Sequence, residues 1–181
     1  MNLSGLHRKF VLNGRDTMDP TKVTGPTQLL SLGYLWQSVP GIDTDGTSTA
    51  NANQGHQTWI YIKAGEDLAA GTVVGRSLGV GLMSSDYIGY KSMIAGPATG
   101  VFGVAQYEIL SGEYGFILRE GITETLILNG ALTDGLAIIT SDGAGNAGKA
   151  EVWSAGAGVS ASVIGYCLDQ ANTVYRVNCV G

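Results

Sequence analysis

The sequence predicts an all-β protein, and two observations carry that prediction. One turn-and-strand pattern occurs twice, at residues 67–74 and 131–139, with a leucine three positions before a glycine and an apolar strand after it. Between and beyond these copies, short runs rich in β-branched and aromatic residues alternate with Gly and Asx turns. No run between them combines the length, helical periodicity and freedom from glycine that a regular helix needs. We therefore expect a compact, glycine-rich β-barrel or sandwich.

The individual strands follow from these runs. Residues 58–63 are aromatic and β-branched and end at a turn. Residues 79–97 contain four glycines and a proline, which predicts a longer surface excursion, with at most one short helix expected. The glycines supply the positive φ angles of tight hairpins and position the strands. Further strands are predicted at residues 72–74, 99–106, 114–119, 124–128, 136–140, 161–168 and 173–180.

The chain divides into an arm and a body. Residues 1–56 are predicted to form an N-terminal arm and polar linker, because they hold three of the four prolines and most of a polar run at 43–57. Residues 57–181 are predicted to form one β domain. The net charge of −5 and the ten dispersed Lys and Arg residues argue against nucleic-acid binding, which needs clustered cations.

Within the arm, residues 29–36 are strongly apolar although polar chain flanks them. Two interpretations remain open: the segment is an ordinary strand of the same core, or it docks on another subunit. On the second interpretation it forms the candidate interface. Its members are Leu29, Leu30, Leu32, Tyr34, Leu35 and Trp36.

The sequence shows neither a secretory signal nor a membrane-spanning segment, so we expect a soluble protein with no membrane partner. Cys167 and Cys179 lie in neighbouring predicted strands. A tight turn near Ala171 and Asn172 would place the two thiols several residues out of register. We therefore expect reduced, buried thiols rather than a disulfide.

The motifs that suggest chemistry are incomplete. Residues 143–150 match the glycine and lysine spacing of a phosphate-binding loop, but Ala150 has no hydroxyl for magnesium and no helix follows. Residues 43–46 resemble the start of a calcium loop without its later ligands. His7 and His56 stand apart from cysteine and carboxylate clusters. We therefore expect no enzyme, no cofactor and no metal.

Four carboxylates, Glu108, Glu113, Glu120 and Glu124, fall within one stretch of the chain. A pair of them could in principle serve as general acid and base. Their context of turns beside alternating strands favours a different interpretation, in which solvated charges keep strand edges from pairing wrongly.

Five short pieces, taken in order, resemble a family of small head proteins of tailed bacteriophages, the capsid decoration or cement proteins. The pieces are residues 62–74, 102–105, 111–115 with 120–121, 134–137 and 164–166. The resemblance covers most of residues 60–181. The arm at 1–56 is longer than that family leads us to expect.

The resemblance implies a β-decoration domain of the β-tulip or β-clip type, with an extended N-terminal arm. It also implies a homotrimer, made in the host cytoplasm and seated on the capsid exterior, that bridges major capsid subunits and stabilises the shell. Two alternatives remain: a tail or fibre component, and a sugar- or peptide-binding β module. The second would need an aromatic cluster around a concave site, which Trp59, Tyr61, Tyr87, Tyr90 and Trp153 could supply, although they also suit the core.

Overall fold

The computed structural model describes residues 23–38, 57–76, 87–92, 100–141, 144–153 and 163–179, and it is built from β-strands. Among these residues the helical content is one 3₁₀ turn at Ala144–Asn146. The strands are β1 (Leu35–Ser38), β2 (Gln57–Ala64), β3 (Val73–Arg76), β4 (Ile88–Lys91), β5 (Gly100–Val104), β6 (Tyr114–Thr123), β7 (Ala137–Thr140), β8 (Ala150–Val152), β9 (Val163–Asp169) and β10 (Val174–Asn178).

Five of the strands close into a barrel, in the order β2, β4, β3, β5 and β6, with β6 returning to β2. Neighbouring barrel strands run antiparallel except β2 and β4. That parallel pair is short, joining Lys63 to Ile88 and Ala64 to Gly89. The barrel is thus closed through a seam of two residue pairs.

The sheet continues beyond the barrel on both sides. From β6 it extends through β10, β9, β7 and β8, a region we call the extension. On the other side, β1 pairs with β2 next to the place where β4 joins it. The outer edge of β8 meets residues 127–129, where the Ala150 N–H donates to the Ile127 carbonyl and the Asn129 N–H donates to the Ala150 carbonyl.

The buried side chains form two clusters. The first fills the barrel interior with mostly aliphatic residues, among them Ile62, Leu68 and Ile117. The second lies between the outer surface of the barrel and the inner face of the extension, where Leu118 of the barrel belongs to the same cluster as Val177 of the extension. The molecule therefore has two layers, and the β6 strand serves both of them.

One turn geometry begins five of the strands, of which β8 follows Gly148 and the other four follow glycines that also share a connection to the sheet. In each turn a glycine has φ between +75° and +84°, and the strand starts two residues after it. The next residue donates its N–H to the carbonyl three residues earlier, as in a type II turn with glycine at the third position. The other four glycines are Gly33, Gly71, Gly112 and Gly135.

The turns at these four glycines also share their connection to the sheet. Each glycine N–H donates to one residue of a neighbouring strand, and that residue's N–H donates back to the carbonyl after the glycine. This arrangement is the glycine type of β-bulge. An aliphatic residue stands three positions before each glycine; Leu68, Ile109 and Leu132 are fully buried and Leu30 packs against the core. The sequence pattern seen twice is therefore used four times.

Most strand predictions are confirmed, and so is the all-β class. The prediction of a strand at 124–128 is wrong, since among these residues only Leu128 forms a β-bridge, with Ala150. The physical reason is that this segment does not pair along one strand but hydrogen-bonds to two different parts of the chain. The Ile127 N–H donates to the Gly71 carbonyl, and the Ile127 carbonyl accepts from the Ala150 N–H.

Two short strands were not predicted. β4 lies inside the predicted surface excursion, and its central Gly89 faces the barrel interior, where a Cβ would stand 2.6 Å from Ile62 and Val74 side-chain atoms. β8 follows the glycine-rich loop and completes a hairpin with β7. Part of the predicted arm, residues 23–38, lies against the body and contributes β1.

Candidate functional site

Residues 29–36, the predicted interface, lie along one side of the barrel. Leu30, Leu32, Tyr34 and Trp36 are partly buried against the core between barrel and extension. The Leu29 N–H donates to the Tyr61 hydroxyl at 3.2 Å. Leu35 points outward and is 47% exposed. The segment is therefore a strand of this chain with one large outward side chain, and its place in a subunit interface stays a prediction.

The extension exposes an apolar surface. Of the seven large hydrophobic side chains exposed among the described residues, five belong to this region. We call them the outer apolar face: Leu136, Trp153, Val163, Tyr166 and Leu168. Tyr166 and Leu168 flank the buried Cys167 on β9, so strand alternation places them on the same side of the sheet.

A cross-strand row runs through this face. Tyr166 of β9 lies opposite Ala137 of β7 on one side and Arg176 of β10 on the other. The Trp153 N–H donates to the Ala137 carbonyl at 2.9 Å, which places Trp153 next in the row. Directly opposed residues of antiparallel strands share a face. The row therefore presents Trp, Tyr and Arg, the residue types enriched at energetically important positions of protein interfaces.

A second surface lies at one end of the barrel, and we call it the barrel mouth. It is a small open cleft of about 60 Å³. Each barrel strand, or the residue directly before it, contributes one lining side chain. These are Ile60 of β2, Arg76 of β3, Tyr87 before β4, Phe102 of β5 and Arg119 of β6.

The arginines of the mouth are positioned by neighbouring groups. The Arg76 guanidinium lies 4.8 Å from the ring centroid of Phe102 and 5.5 Å from that of Tyr87, and the two rings stack at 5.6 Å. The Arg119 Nε–H donates to the Cys179 carbonyl at 3.3 Å. The salt bridge present among the described residues joins Lys91 to Glu66 instead, so neither arginine of the mouth has a carboxylate partner within them.

The motifs that suggested chemistry serve the hairpins. The described part of the phosphate-loop-like segment forms the 3₁₀ turn and then β8, without the helix that a phosphate site requires. Within it the Lys149 Nζ–H donates to Asn146 Oδ1 at 3.3 Å. The described residues contain no cluster of three or more His, Cys, Asp or Glu that could hold a metal ion. His7, His56 and residues 43–46 lie outside them.

The four glutamates fall at two ends of one strand. Glu108 and Glu113 precede β6, whereas Glu120 is near its far end and Glu124 follows it. Glu120 follows Glu113 by seven positions of extended chain, a distance of about 23 Å. Glu113 and Glu120 are therefore too far apart to act together on one bond.

Burial raises the pKa of several acidic groups, and most of them lie in the extension. It raises the pKa of the Cys179 thiol to about 12, with the Arg119 charge opposing the rise. It also raises the pKa of Cys167, where the Asp134 carboxylate adds to the effect, and of Tyr175. In the barrel, burial raises the pKa of Tyr61 although the Leu29 N–H opposes it. Both cysteines are free and buried, as expected from the sequence.

The aromatic residues considered for a ligand site do not gather in one place. Trp59 and Tyr61 are buried core residues, with 5% and 1% exposure. Tyr87 belongs to the barrel mouth, while Trp153 lies on the outer apolar face. The Tyr90 side chain lies against Gly65, where a Cβ would stand 2.4 Å from its ring.

The structure brings together residues that sequence reasoning did not connect. Arg76 and Arg119 are 43 positions apart in the chain, and no local motif relates them. The outer apolar face does have a signal in the sequence, because every residue from 163 to 168 is apolar, aromatic or glycine. Such a run makes both faces of the strand apolar. Such a strand is expected to be covered on both faces.

Comparison with known proteins gives little further information. No protein-family model matches the sequence, and no curated protein matches it. Among solved structures, the chain is similar to the N base of the head fiber gp8.5 in bacteriophage phi29. The identity is 13% and the TM-score 0.43, over 67% of this chain and 94% of that one. At this TM-score the similarity carries no argument about this chain.

Proposed function

We propose that this chain is a structural protein of a tailed-phage virion, without enzymatic activity. It binds the outer surface of the capsid and stabilises the shell by bridging major capsid subunits. The observation that carries the proposal is the outer apolar face, five large side chains with 43–50% exposure on one sheet extension. Trp153, Tyr166 and Leu168 share one side of the sheet, and contiguous exposed apolar surface is typical of protein-binding sites. The proposal includes a homotrimer and excludes nucleic acid and membrane as partners.

The composition of the face suits a protein partner. Trp153, Tyr166 and Arg176 stand in one row across the sheet, and such residues contribute most of the binding free energy in many interfaces. The row lies on strands held by the buried core beneath, so little conformational entropy is lost when a partner binds. A lattice of identical seats would then sum many modest contacts into a large stabilisation.

The edge strand β1 offers a second contact. Among the described residues β1 has β2 as its strand neighbour, at the end of the sheet order. Its outward Leu35 is the one large exposed hydrophobic side chain of the predicted interface segment. An unpaired edge with an apolar side chain can accept a strand from another chain. Of the interface predicted for residues 29–36, the proposal therefore keeps the Leu35 side chain and the outer edge of β1.

The sequence resemblance to decoration proteins supplies the identity of the partner in this proposal. The regions that carry the resemblance include three of the four glycine turns that share a connection to the sheet, at Gly71, Gly112 and Gly135. These turns position strands of both the barrel and the extension. The resemblance therefore concerns the parts of the sequence that determine the frame on which the apolar face is presented.

The test is co-sedimentation of the purified protein with expanded, undecorated heads of the phage that encodes it. Wild-type protein is expected to bind saturably and in stoichiometric amount. Replacing Tyr166 by Ser is expected to weaken binding by about 30-fold, corresponding to ~2 kcal/mol for an interface residue of this type. Leu35→Ser tests the β1 contact and is expected to have a smaller effect, of about fivefold.

The matched control is Leu110→Ser. Leu110 is 46% exposed, close to the values of Tyr166 and Leu35, and it lies in the turn before β6, away from both surfaces. Its replacement is expected to leave binding unchanged. Equal loss in all three variants, or no binding of wild-type protein to any head preparation, would contradict the capsid role and favour a tail or fibre component. Light scattering of the free protein measures the expected trimer.

A further inference from the structure

The barrel mouth contains two positive charges for which the described residues provide no counter-ion. Arg76 and Arg119 line the same small cleft of about 60 Å³. Two guanidinium groups in one partly enclosed space repel each other, since both stay charged at any accessible pH. An anion between them would convert this repulsion into attraction. The two arginines therefore give the cleft a positive charge that favours an anionic ligand.

The backbone directs these side chains to the mouth. Arg119 is the extra residue where β6 passes β2, between the pairs Trp59 with Leu118 and Thr58 with Glu120. Phe102 is the extra residue where β5 passes β3, between the pairs Val74 with Gly103 and Gly75 with Val101. Bulges at barrel rims typically re-aim a side chain, and they are common beside functional sites.

Arg76 is held in a defined orientation before any ligand binds. Its guanidinium lies over the Phe102 and Tyr87 rings, and these two contacts restrict its position. Stacking on aromatic faces leaves the in-plane N–H groups of an arginine directed outward for hydrogen bonds. Arg119 is held through the Cys179 carbonyl. Pre-oriented donors of this kind lower the entropic cost of binding.

We propose that the barrel mouth binds the carboxylate of an acidic side chain from a partner protein. A guanidinium group binds a carboxylate with two parallel hydrogen bonds, and a second arginine can donate hydrogen bonds to the remaining lone pairs. The cleft, of about 60 Å³, has room for one carboxyl group. Ile60 and the two rings offer an apolar wall to the methylene groups of a Glu side chain. This proposal is independent of the capsid role.

The first experiment titrates wild-type, full-length protein with the peptide acetyl-Gly-Gly-Glu-Glu-Gly-Gly-amide. Binding is followed by the ¹⁵N NMR signals of the arginine Nε–H groups. The neutral peptide with Gln in place of Glu is the ligand control. The Glu peptide is expected to bind saturably, to shift the signals of Arg76 and Arg119, and to bind at least tenfold more tightly than the Gln peptide. Equal affinity of the two peptides would overturn the proposal.

The second experiment compares two charge-removing variants. Arg76→Gln is expected to weaken binding of the Glu peptide at least tenfold, because the stacked guanidinium is lost. Lys149→Gln removes the same charge from the loop before β8, whose side chain does not line the mouth, and is expected to leave the affinity unchanged. An equal loss of affinity in both variants would show that only the net charge of the protein matters, and it would contradict a specific site at the barrel mouth. If Arg76→Gln fails to fold, Arg119→Gln replaces it, and the wild-type peptide contrast stands without either.

Inorganic phosphate distinguishes a carboxylate site from a general anion site. Phosphate is expected to displace the Glu peptide only at concentrations at least tenfold above the peptide's dissociation constant, because phosphate has no methylene groups to contact the apolar wall of Ile60, Tyr87 and Phe102. Displacement by phosphate at or below that dissociation constant would overturn the assignment to a carboxylate ligand.

Discussion

The barrel and the extension are made by one continuous sheet, yet they differ in how their strands are covered. Every barrel strand pairs with two other barrel strands, and the barrel interior is filled by its own side chains. The extension has one face on the barrel and the other exposed, with Tyr166 and Leu168 outward. Closing a sheet removes its edges and buries one face without help, whereas an open sheet leaves a face for a partner.

The same difference appears in the titratable groups. Of the acidic groups whose pKa burial raises, Cys167, Tyr175 and Cys179 belong to the layer between barrel and extension on the extension side, while Tyr61 is on the barrel side. Among the described residues, the barrel interior contains no buried thiol and is mostly aliphatic, with Phe102 as its aromatic member and Tyr87 and Tyr107 packed against it. High pH therefore acts on the junction between the two layers.

The largest expected effect on stability comes from a substitution at Gly165 of β9. An added Cβ there would lie 1.8 Å from the Arg176 carbonyl oxygen, a backbone atom that cannot move without separating β9 from β10. We expect Gly165→Ala to lower the free energy of unfolding by more than ~3 kcal/mol. Because barrel and extension share a buried cluster, both layers should unfold together in denaturant titrations followed by far- and near-ultraviolet circular dichroism.

The control for this prediction is Gly145→Ala. Gly145 lies in the 3₁₀ turn, its φ is not positive, and a Cβ would meet open space. Its replacement should change the free energy of unfolding by no more than about 0.5 kcal/mol. A Gly165→Ala protein that keeps an intact barrel and loses only the extension would show that the two layers fold independently.

The second effect is alkaline destabilisation through Cys179. Its pKa is raised from 9.0 to about 12 in the folded protein, so the unfolded chain binds fewer protons between these values. The contribution of this thiol to the free energy of unfolding is therefore fully present below pH 9 and is lost as pH rises toward 12. The slope from this group is about 1.4 kcal/mol per pH unit. Urea titrations at pH 8, 9 and 10 measure it.

Cys179→Ala provides the comparison for this pH dependence. The variant loses stability at every pH because a buried side chain is shortened, but its slope above pH 9 should be shallower than that of the wild type. The remaining slope reports Cys167, Tyr175 and Tyr61, whose pKa values are also raised. Identical slopes in the two proteins would show that the Cys179 thiol is not the titrating group.

The smallest effect compares the same turn in the two regions. Gly112 precedes a barrel strand and Gly135 an extension strand, with φ of +83° and +75°, and an added Cβ meets nothing at either position. Replacement by Ala should therefore cost only the left-handed conformation, about 1 kcal/mol at each site by chemical denaturation. Asn should cost less, since it tolerates this conformation. A large difference between Gly112→Ala and Gly135→Ala would refute the equivalence of the two turns.

The local turn-and-strand pattern of this fold is visible in the sequence. The pattern of an aliphatic residue, a glycine three positions later and a following strand was recognised at Gly71 and Gly135, and the structure uses it also at Gly33 and Gly112. It is visible because its cause is local: a positive φ favours glycine, and the turn directly follows a buried or partly buried aliphatic side chain. The missed copies have the same spacing in the sequence.

The short strands and the barrel mouth could not be found in this way. β4 has four residues with a central glycine, and its place depends on a two-pair parallel seam with β2. The partners of residues 124–128 are likewise distant in the chain. Arg76 and Arg119 carry no pattern in their own neighbourhoods, because their meeting depends on barrel closure and on the bulge at Arg119.

The sequence by itself therefore determined the class of structure, the positions of most strands and the turns between them, since each depends on conformational preferences within a few residues. It also determined that two free thiols are buried. Only the tertiary structure decided which strands close a barrel, that the Leu30 and Trp36 side chains pack inward while Leu35 stays outside, and which side chains meet at the mouth and on the outer face. Those features depend on pairing between distant segments, for which the chain carries no local signal.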